Sequence, residues 1–533
     1  MLHFASTVAK CWNMPAIDDY RVRSLTYGDL AREIMRLRLL WSSLGLRRGD
    51  KIALNAKSSS SWAAVFLATQ LGGYVAVQIF KGFTPDDTRG LVNHSRSRLL
   101  YTEKSIFENM DFDAMTDLLA AIDTNTGEVL ACREEYREAF ESIEGRFNQL
   151  YPEGLTADDF TAAESSLDDL AAIMYTSGST GNPKGVMLTN RNLSANIHII
   201  PDHFPYREGD KYVSVLPYSH IFGLVYDMLM PLTIGMHLVV LGMPPAPVNL
   251  IPALNTYRPR VFFAVPLILE KLVHSTIGNY LKEGGHPWSS LSSIFMGALG
   301  GNLELLVSGG AAIDENLEKL LLDNLKVPFV TGYGMTEAAP TIALGEFGDY
   351  RKHECGKVVR EILEVKIDSA DGAGIPGEIL IKGPAVFKGY YRNEEATRAA
   401  FTSDGWFKTG DMAILENGSR VFMVGRCKNM ILRSNGHNVF PEEIEVILNH
   451  LPYVAESIVI EKNGKLMAII VPDSDSVAND CIGAKSLASI MDKNLKHLNS
   501  RIPKYSSVSS YKLQYEPFAK TPKGTIKRFM YTE

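Results

Sequence analysis

Strand-like and helix-like segments alternate along most of this chain, and that alternation restricts the folds open to it. Apolar residues recur at helical spacing over residues 27–44 and 60–71. The short apolar segments 51–56, 99–102 and 327–330 have the length of strands. Strands that alternate with helices build a layered core in which helices cover a mostly parallel sheet. We therefore predict an α/β fold.

The pattern changes in the last third of the chain, where short strands separated by turns replace the alternation. The dipeptide Asn463-Gly464 lies between two apolar runs and predicts a β-hairpin, because both residues adopt a positive φ at low cost. Pro441 opens a helix whose first turn carries glutamates, which are favourable at the positive end of a helix. We predict a large, multi-subdomain α/β N-terminal domain over residues 1–426 and a small α+β C-terminal domain over residues 427–533.

Charge, cysteine content and hydropathy exclude several classes of protein. A net charge of −7 argues against a dedicated nucleic-acid binder. Five scattered cysteines without a CxxC pair argue against a disulfide framework or structural zinc, so we expect a cytoplasmic protein. The most apolar long window, residues 224–242, is interrupted by aspartate, proline and glycine. It is predicted to be buried core and not a transmembrane segment, which leaves peripheral membrane contact open. The acidic stretch 105–165 is predicted to form surface helices.

An apolar run of strand length, residues 170–175, leads directly into a loop rich in glycine and hydroxyl groups. Glycines let the backbone turn sharply and approach an anion, consecutive N–H groups form an anion-binding nest, and a lysine adds a mobile cation. The Walker pattern does not apply, because its lysine follows glycine directly, whereas this one follows Pro183. A flexible surface loop is the alternative, but the density of hydroxyls favours phosphate binding. The candidate phosphate-binding residues are Thr176, Ser177, Gly178, Ser179, Thr180, Gly181 and Lys184.

Residues 175–185 resemble the signature motif of the adenylate-forming superfamily, which includes acyl-CoA synthetases, luciferases and peptide-synthetase adenylation domains. Further stretches resemble the other motifs of that family in the same order. The resemblance implies an N-terminal domain with the ATP and acyl sites, and a mobile C-terminal domain that rotates between two half-reactions. It is greatest for bacterial-type long-chain fatty acyl-CoA ligases. The additional stretches are residues 215–223, 306–312, 331–337, 406–411, 425–431 and 434–438.

The resemblance implies roles for residues of the N-terminal domain. Tyr333 would stack on adenine, Thr336 would contact the α-phosphate and Glu337 would bind Mg²⁺, tasks that suit an aromatic face, a hydroxyl donor and a hard oxygen ligand. A tight turn with an ordinary surface glutamate is the alternative. His220 would gate the acyl pocket, because a carboxylate that attacks phosphorus needs no general base; a satisfied core histidine is the alternative. Small residues let a flat nucleotide pack closely against the backbone. The small candidate residues for nucleotide binding are Gly309, Gly310, Ala311 and Gly334.

Four further assignments concern the segment from residue 406 onward. Asp411 would accept hydrogen bonds from two ribose hydroxyls, with a turn-forming aspartate as the alternative. Arg426 would reach the ribose or a phosphate, and Lys428 occupies the interdomain hinge position. Gly436 matches the loop that lines the thiol tunnel after domain rotation, for which a surface β-turn is the alternative.

One departure from the family concerns the lysine that bridges carboxylate and phosphate during adenylation. In the family it directly follows a glycine near the C-terminus, and that position holds Thr525 here. Lys527 or Lys523 could substitute because a lysine side chain is long and flexible, and we favour Lys527. A solvated basic tail is the alternative. The predicted catalytic residues are Lys527, Lys184, Thr336 and His220.

Together the motifs predict an ATP-dependent acid–thiol ligase. A carboxylate would attack the α-phosphate of ATP to give acyl-AMP and pyrophosphate, and a thiol would then attack the acyl carbon and release AMP. The expected cofactors are ATP, Mg²⁺ and coenzyme A. The expected acid is a long-chain fatty acid, with a medium-chain or aryl acid as an alternative. An acyl-AMP ligase that loads an acyl carrier protein, and a catalytically impaired nucleotide-binding homologue, are the competing functions.

Overall fold

The computed structural model of the chain describes residues 2–176, 183–432, 438–521 and 526–531. These residues form two compact units. The N-terminal unit holds the described residues up to 364 together with residues 382–401. The C-terminal unit holds residues 365–381 and the described residues from 402 onward.

The strands, numbered along the chain, are β1 (Pro15–Asp19), β2 (Arg23–Thr26), β3 (Lys51–Asn55), β4 (Val75–Gln78), β5 (Ser97–Thr102), β6 (Ala120–Asp123), β7 (Val129–Cys132), β8 (Leu170–Thr176), β9 (Lys184–Thr189), β10 (Lys211–Ser214), β11 (His237–Val240), β12 (Val261–Ala264), β13 (Leu305–Ser308), β14 (Phe329–Gly334), β15 (Thr341–Leu344), β16 (Lys357–Val358), β17 (Glu364–Asp368), β18 (Gly377–Lys382), β19 (Gly389–Tyr390), β20 (Phe407–Glu416), β21 (Arg420–Arg426), β22 (Ile431–Leu432), β23 (Asn438–Val439), β24 (Val454–Lys462), β25 (Lys465–Pro472) and β26 (Val508–Leu513).

The α-helices are α1 (Leu2–Lys10), α2 (Tyr27–Ser43), α3 (Ser60–Gly72), α4 (Pro85–Ser95), α5 (Lys104–Phe107), α6 (Arg137–Leu150), α7 (Asn190–Ile199), α8 (Met230–Ile234), α9 (Pro247–Tyr257), α10 (Pro266–Glu283), α11 (Trp288–Ala298), α12 (Glu315–Lys319), α13 (Glu394–Ala400), α14 (Pro441–Asn449), α15 (Ser474–Asn479) and α16 (Ala484–Arg501). Shorter 3-10 and π-helical turns include a π-helix over Gly223–Leu229 and a 3-10 helix over Thr336–Ala338.

One sheet of the N-terminal unit has the strand order β19-β9-β8-β4-β3-β5-β6-β7. Its centre, β8-β4-β3-β5-β6, is parallel. Strands of such a sheet are covered on both faces, and β4 is accordingly buried at every residue. Helix α3 is buried along nearly its whole length; the Ser59 side chain caps its first turn by accepting the N–H of Trp62, and Gly73 ends it at a φ of 74°.

Two further sheets complete the N-terminal unit. Strands β12, β13 and β14 are parallel, and β14, β15 and β16 continue antiparallel. A hydrophobic core that includes Phe262, Phe295, Leu306 and Phe329 packs against the parallel strands. The remaining sheet has the order β10-β11-β1-β2. The parallel strands β12 to β14 all end at the same edge, where the residues that follow them lie close together.

Small sheets and the three α-helices α14, α15 and α16 make up the described part of the C-terminal unit. Strands β18, β20 and β21 pair antiparallel, and β24, β25 and β26 form a second sheet. Ile444 of α14 and Met491 of α16 pack into the core of the latter sheet. Asn463 and Gly464, with φ of 53° and 71°, form the two-residue turn between β24 and β25. The predicted hairpin and the predicted α/β fold class are therefore confirmed.

Most local predictions are confirmed, and two are wrong. The strand predicted over 327–330 begins only at Phe329 and runs to Gly334, after Pro328, which has no N–H to donate to a strand ladder. The stretch 105–165 does not consist of surface helices alone, because the fully buried β6 extends the parallel sheet.

The most apolar long window, residues 224–242, lies mostly in the core, as predicted. No helix among the described residues is long and apolar enough to cross a membrane. The domain boundary after residue 426 stays a prediction.

Replacing Gly464 by alanine tests the hairpin. Nothing lies within 4 Å of a Cβ at this position, so the cost comes only from the positive φ, about 1 kcal/mol for alanine. We expect amide hydrogen exchange in β24 and β25 to accelerate about fivefold in Gly464→Ala. Gly464→Asn is the matched control, because asparagine tolerates this conformation better. Equal exchange rates in the two variants would contradict the assignment of strain.

Candidate active site

The strand that enters the candidate phosphate loop pairs with the strand that leaves it. Strands β8 and β9 are antiparallel and place Thr176 opposite Lys184, so these two residues flank the base of the loop. Glycine is needed at Gly185, because a Cβ there would lie 2.9 Å from Cγ2 of Ile173. Phosphate binding by Thr176 and Lys184 stays a prediction. The other predicted loop residues, Ser177, Gly178, Ser179, Thr180 and Gly181, lie outside the described residues.

Two candidate residues of opposite charge, far apart in the sequence, meet at one tyrosine. The Lys184 ammonium lies 4.8 Å from the centre of the Tyr390 ring, within cation–π range. The Tyr390 hydroxyl donates a hydrogen bond to Oε1 of Glu337 at 3.0 Å. Burial, together with the Glu337 carboxylate, raises the pKa of Tyr390, so the hydroxyl is a proton donor at neutral pH. The structure thus brings a phosphate-binding candidate and a metal-binding candidate together.

Backbone pairing holds Tyr390 in this place. Strand β19 runs antiparallel to β9, with Tyr390 opposite Val186, two residues after Lys184. Just before β19, the N–H of Phe387 donates to the carbonyl oxygen of Glu337 at 2.8 Å. One short segment is therefore tied to the strand that carries the lysine and to the turn that carries the glutamate.

Two buried asparagines of α7 connect further segments around this place. Helix α7 follows β9 directly, and Asn192 and Asn196, four residues apart, lie on one face of it. The Asn192 amide donates to two backbone carbonyls of the segment before β19, at 2.8 Å each. The Asn196 amide donates to the carbonyl of Ala338 at 3.3 Å, and its Oδ1 accepts the N–H of Thr341 at 3.1 Å. Neither asparagine belongs to a predicted motif, although two polar residues four apart on a packed helix are a signal that the sequence does carry.

The end of β14 carries the candidates for adenine and α-phosphate binding. Tyr333 lies in the strand itself and is half-buried. Gly334 has no room for a side chain, because a Cβ there would lie 2.2 Å from the carbonyl oxygen of Pro340. Thr336 opens the 3-10 helix that contains Glu337. The chain therefore turns directly after Tyr333 and keeps Thr336 and Glu337 at the end of the strand.

The small residues that follow β13 lie next to β14 because these strands are adjacent and parallel. A Cβ on Gly309 would lie 3.2 Å from Cζ of Phe222, and a Cβ on Gly310 would lie 3.7 Å from Cδ1 of the same ring. Ala311 is exposed. Phe222 belongs to the predicted motif that contains His220, so two of the predicted motifs are in contact.

His220 lies in the loop between β10 and the π-helix. Its ring centre is 4.9 Å from that of Phe80, which follows β4 in the neighbouring sheet. Its backbone N–H donates to the carbonyl of Pro217 at 3.0 Å. The half-buried ring thus lies where segments from two sheets of the N-terminal unit meet. Gating of an acyl pocket stays a prediction for this residue.

A fully buried carboxylate, Asp227, fixes the start of this loop. Its Oδ1 accepts the Tyr212 hydroxyl at 2.7 Å, and its Oδ2 accepts the backbone N–H groups of Val215 and Leu216 at 2.8 Å each. Burial raises the pKa of Asp227 to about 7, although these hydrogen bonds act in the opposite direction. In the sequence this aspartate is only an interruption of an apolar window, and its role as an acceptor has no local signal.

The predicted ribose-binding residues form an ion pair within the C-terminal unit. Asp411 and Arg426 lie opposite each other on β20 and β21, with Nε of the arginine 2.6 Å from Oδ1 of the aspartate. Asp411 is buried, whereas Arg426 and Lys428 are exposed. Ribose binding and the hinge role stay predictions. Gly436 lies outside the described residues.

Lys527 lies in an anchored segment of the C-terminal unit. Its backbone N–H donates to the carbonyl of Ala519 at 2.8 Å. On one side, Ile526 packs against a hydrophobic cluster; on the other, Arg528 pairs with the buried Glu445, with Nη1 2.8 Å from Oε1. Lys523 and Thr525 lie outside the described residues, so the choice among the lysines stays a prediction.

The donor set around Glu337 fits Mg²⁺. Mg²⁺ is usually held by one or two carboxylates together with substrate phosphates and water, and not by an all-protein cage. Glu337 supplies one hard carboxylate, whose Oε1 accepts the Tyr390 hydroxyl. Over the described ranges no group of three or more histidine, cysteine, aspartate or glutamate side chains is arranged to hold a metal alone. A metal shared with nucleotide phosphates is the arrangement that these residues suit.

Comparison with protein families shows to which family the chain belongs. Residues 4–391 match the family described as AMP-binding enzyme, and residues 428–533 match the AMP-binding enzyme C-terminal domain. The chain belongs to the AMP-binding enzyme family. The predicted membership of the adenylate-forming superfamily is thereby confirmed, with its large N-terminal and small C-terminal domain.

The relatives of this AMP-binding enzyme are named for different acids. The long-chain-fatty-acid–CoA ligase FadD15 of Mycobacterium bovis is 28% identical over 82% of the chain and 75% of the relative. The 4-coumarate–CoA ligase 1 of Arabidopsis thaliana is 29% identical over 85% of the chain and 79% of the relative. The crystal structure of ATP-bound MatB from Rhodopseudomonas palustris has a TM-score of 0.78 at 21% identity, covering 99% of this chain and 97% of that one. That structural likeness bears on the fold alone.

Replacing Asp227 by asparagine should change the pH dependence of stability. Between an ordinary value of 3.8 and about 7 the folded AMP-binding enzyme holds a proton at Asp227 that the unfolded chain releases. Asp227 therefore makes the folded state less stable as pH rises through this window. Asparagine can still accept both N–H groups and can donate to the Tyr212 hydroxyl. We expect the stability of Asp227→Asn relative to wild type to improve by about 3 kcal/mol between pH 5 and pH 8, measured by urea unfolding. Parallel pH profiles would contradict this.

Proposed function

We propose that this protein is an ATP-dependent acid–thiol ligase that forms acyl-AMP and transfers the acyl group to coenzyme A. The observation that carries the proposal is the meeting of Lys184 and Glu337 at Tyr390, in a chain that belongs to the AMP-binding enzyme family. A cation for phosphate oxygens and a carboxylate for the accompanying metal are the charges that a nucleotide triphosphate requires.

In the first half-reaction a carboxylate oxygen of the acid attacks the α-phosphorus of ATP. The bond from that phosphorus to the oxygen bridging to the β-phosphate breaks, and pyrophosphate leaves. Lys184, the Thr336 hydroxyl and the loop after β8 offset the negative charge that develops on the phosphate oxygens. Mg²⁺, when bound at Glu337, supplies further positive charge to the phosphates. Tyr333 offers a ring face for adenine, and the small residues after β13 admit the nucleotide close to the backbone.

In the second half-reaction the thiolate sulfur of coenzyme A attacks the acyl carbon and AMP leaves with the electron pair of the broken carbon–oxygen bond. We assign Asp411 and Arg426 to the ribose, Lys428 to the hinge and Gly436 to the thiol tunnel. Rotation of the C-terminal domain about this hinge between the two steps is part of the proposal. His220 would control entry to the acyl pocket.

For the acid itself we propose a long-chain fatty acid. The mycobacterial relative named for that substrate class supports this choice, and the motifs resemble the same group of ligases. The plant relative named for 4-coumarate matches at similar identity, so an aryl acid is the second candidate. The decisive experiment is mass spectrometry of the products after incubation with ATP, Mg²⁺, coenzyme A and a mixture of fatty and aryl acids.

The products separate the possible functions. A fatty acyl-CoA product supports the full proposal, whereas a cinnamoyl- or benzoyl-type thioester would overturn only the assignment of the acid. Acyl transfer to an added acyl carrier protein, but not to coenzyme A, would overturn the assignment of the thiol. Absence of acid-dependent pyrophosphate exchange with every acid would overturn the ligase itself.

Lys527→Ala should separate the two half-reactions. If this lysine bridges carboxylate and phosphate, its loss should slow adenylation about 100-fold, the usual cost of removing one transition-state donor. Thioester formation from supplied acyl-AMP should change little. Pyrophosphate exchange measures the first step, and acyl-CoA release from acyl-AMP measures the second.

Lys520→Ala is the matched control, because Lys520 is a nearby lysine that pairs with Glu456. We expect this variant to adenylate at close to the wild-type rate. An equal loss in both half-reactions of Lys527→Ala, or an equal loss in the two variants, would refute the assignment of Lys527.

A further inference from the structure

We propose that Tyr390 is a positioning residue for the nucleotide site: its hydroxyl orients Glu337 for Mg²⁺, and its ring holds Lys184 toward the phosphates. The inference rests on the proposed function, because it presupposes that Mg²⁺ and ATP bind here. It goes beyond that function in naming a residue that connects Glu337, the proposed partner of the metal, with Lys184, the proposed partner of the phosphates.

The hydroxyl acts on the carboxylate without neutralising it. At 3.0 Å the Tyr390 O–H engages Oε1 of Glu337 as a neutral donor. A lysine or arginine in that place would compete with the cation for the same charge, whereas a tyrosine leaves the negative charge in place. Hydrogen-bond partners of this kind fix the orientation of metal-binding carboxylates and typically change metal affinity about 10- to 100-fold.

The ring acts on the lysine in a complementary way. The Lys184 ammonium lies 4.8 Å from the ring centre, and Tyr390 is only 8% exposed, so the contact is largely shielded from water. A lysine side chain loses considerable rotamer freedom when it is fixed on a ligand. A ring that already restricts it reduces the entropy lost on phosphate binding, and it does so without an anion that would compete with phosphate.

The backbone makes Tyr390 a rigid support. Its own N–H donates to Oγ1 of Thr397 at 2.9 Å, and the N–H of Tyr391 donates to the carbonyl of Gly185 at 2.7 Å. Tyr390 is therefore fixed to the strand that begins with Lys184. The Lys184 ammonium and the Glu337 carboxylate therefore contact the same anchored side chain before any nucleotide is present.

Two substitutions separate the two contacts. Tyr390→Phe removes the hydroxyl and keeps the ring, and Tyr390→Leu removes both. Tyr391→Phe is the control, because that neighbouring hydroxyl donates to the backbone carbonyl of Ser95 at 3.4 Å and not to Glu337. Isothermal titration calorimetry of the full chain with ATP measures affinity in EDTA and over a Mg²⁺ series, so the result does not depend on which acid is the substrate.

For Tyr390→Phe we expect the Mg²⁺ concentration at half-maximal ATP binding to rise about tenfold, with affinity in EDTA unchanged. Tyr390→Leu should also weaken ATP binding in EDTA about threefold. In a Glu337→Gln background, Tyr390→Phe should have no further effect on the Mg²⁺ requirement. Tyr391→Phe should match wild type in both measurements.

Several outcomes would overturn the inference. An unchanged Mg²⁺ requirement in Tyr390→Phe, an equal shift in Tyr391→Phe, or a full additional shift in the Glu337→Gln background would each do so. Loss of the native melting transition in Tyr390→Phe would show a packing role instead. A wild-type chain that binds ATP with Mg²⁺ but forms no acyl-AMP would overturn the ligase and leave this inference standing. A chain that binds no ATP would overturn both.

Discussion

The candidate site depends on two buried carboxamides that satisfy backbone groups of other segments. Loops that carry reactive side chains also carry backbone N–H and C=O groups, and burying these without partners costs about 1–3 kcal/mol each. Asn192 and Asn196 supply the partners: one holds the segment before β19, and the other holds both sides of the turn after Glu337. Both asparagines project from one helix, α7, which directly follows β9. The same helix therefore connects the strand that begins with Lys184, the turn that contains Glu337 and the strand that contains Tyr390.

On that support two charged residues each contact a neutral group of Tyr390. Lys184 contacts a ring face, and Glu337 accepts from a hydroxyl. Asp411 is different, because it is buried against the guanidinium of Arg426. A carboxylate that is paired with an arginine has less negative charge to offer a metal but can still accept hydrogen bonds from ribose hydroxyls. The pairing therefore agrees with the roles that we propose, Mg²⁺ binding for Glu337 and ribose binding for Asp411.

Patterns in the sequence correctly predicted the features that depend on neighbouring residues, such as turns and strands. The hairpin at Asn463 follows from backbone preference alone, and the family motifs indicated which strands end at the site. The strand near Pro328 was misplaced because an apolar run shows where a strand can lie and not where its ladder begins. Tyr390 is one of 22 tyrosines, and nothing local distinguishes it; the role that we propose for it comes from contacts with residues far away in sequence. The same holds for Asp227, whose donors and burial exist only in the folded chain.

The surroundings of Lys527 bear on the departure at Thr525. A solvated basic tail would have no buried partners, yet the residues on both sides of Lys527 are anchored. Arg528 reaches Glu445, whose carboxylate also accepts the N–H of Val459 at 2.6 Å, and Ile526 packs into a hydrophobic cluster. Fixing the neighbours of a lysine confines the base of its side chain while its length preserves reach. These anchored neighbours support the proposal that Lys527 performs the task of the lysine that the family carries at the position of Thr525.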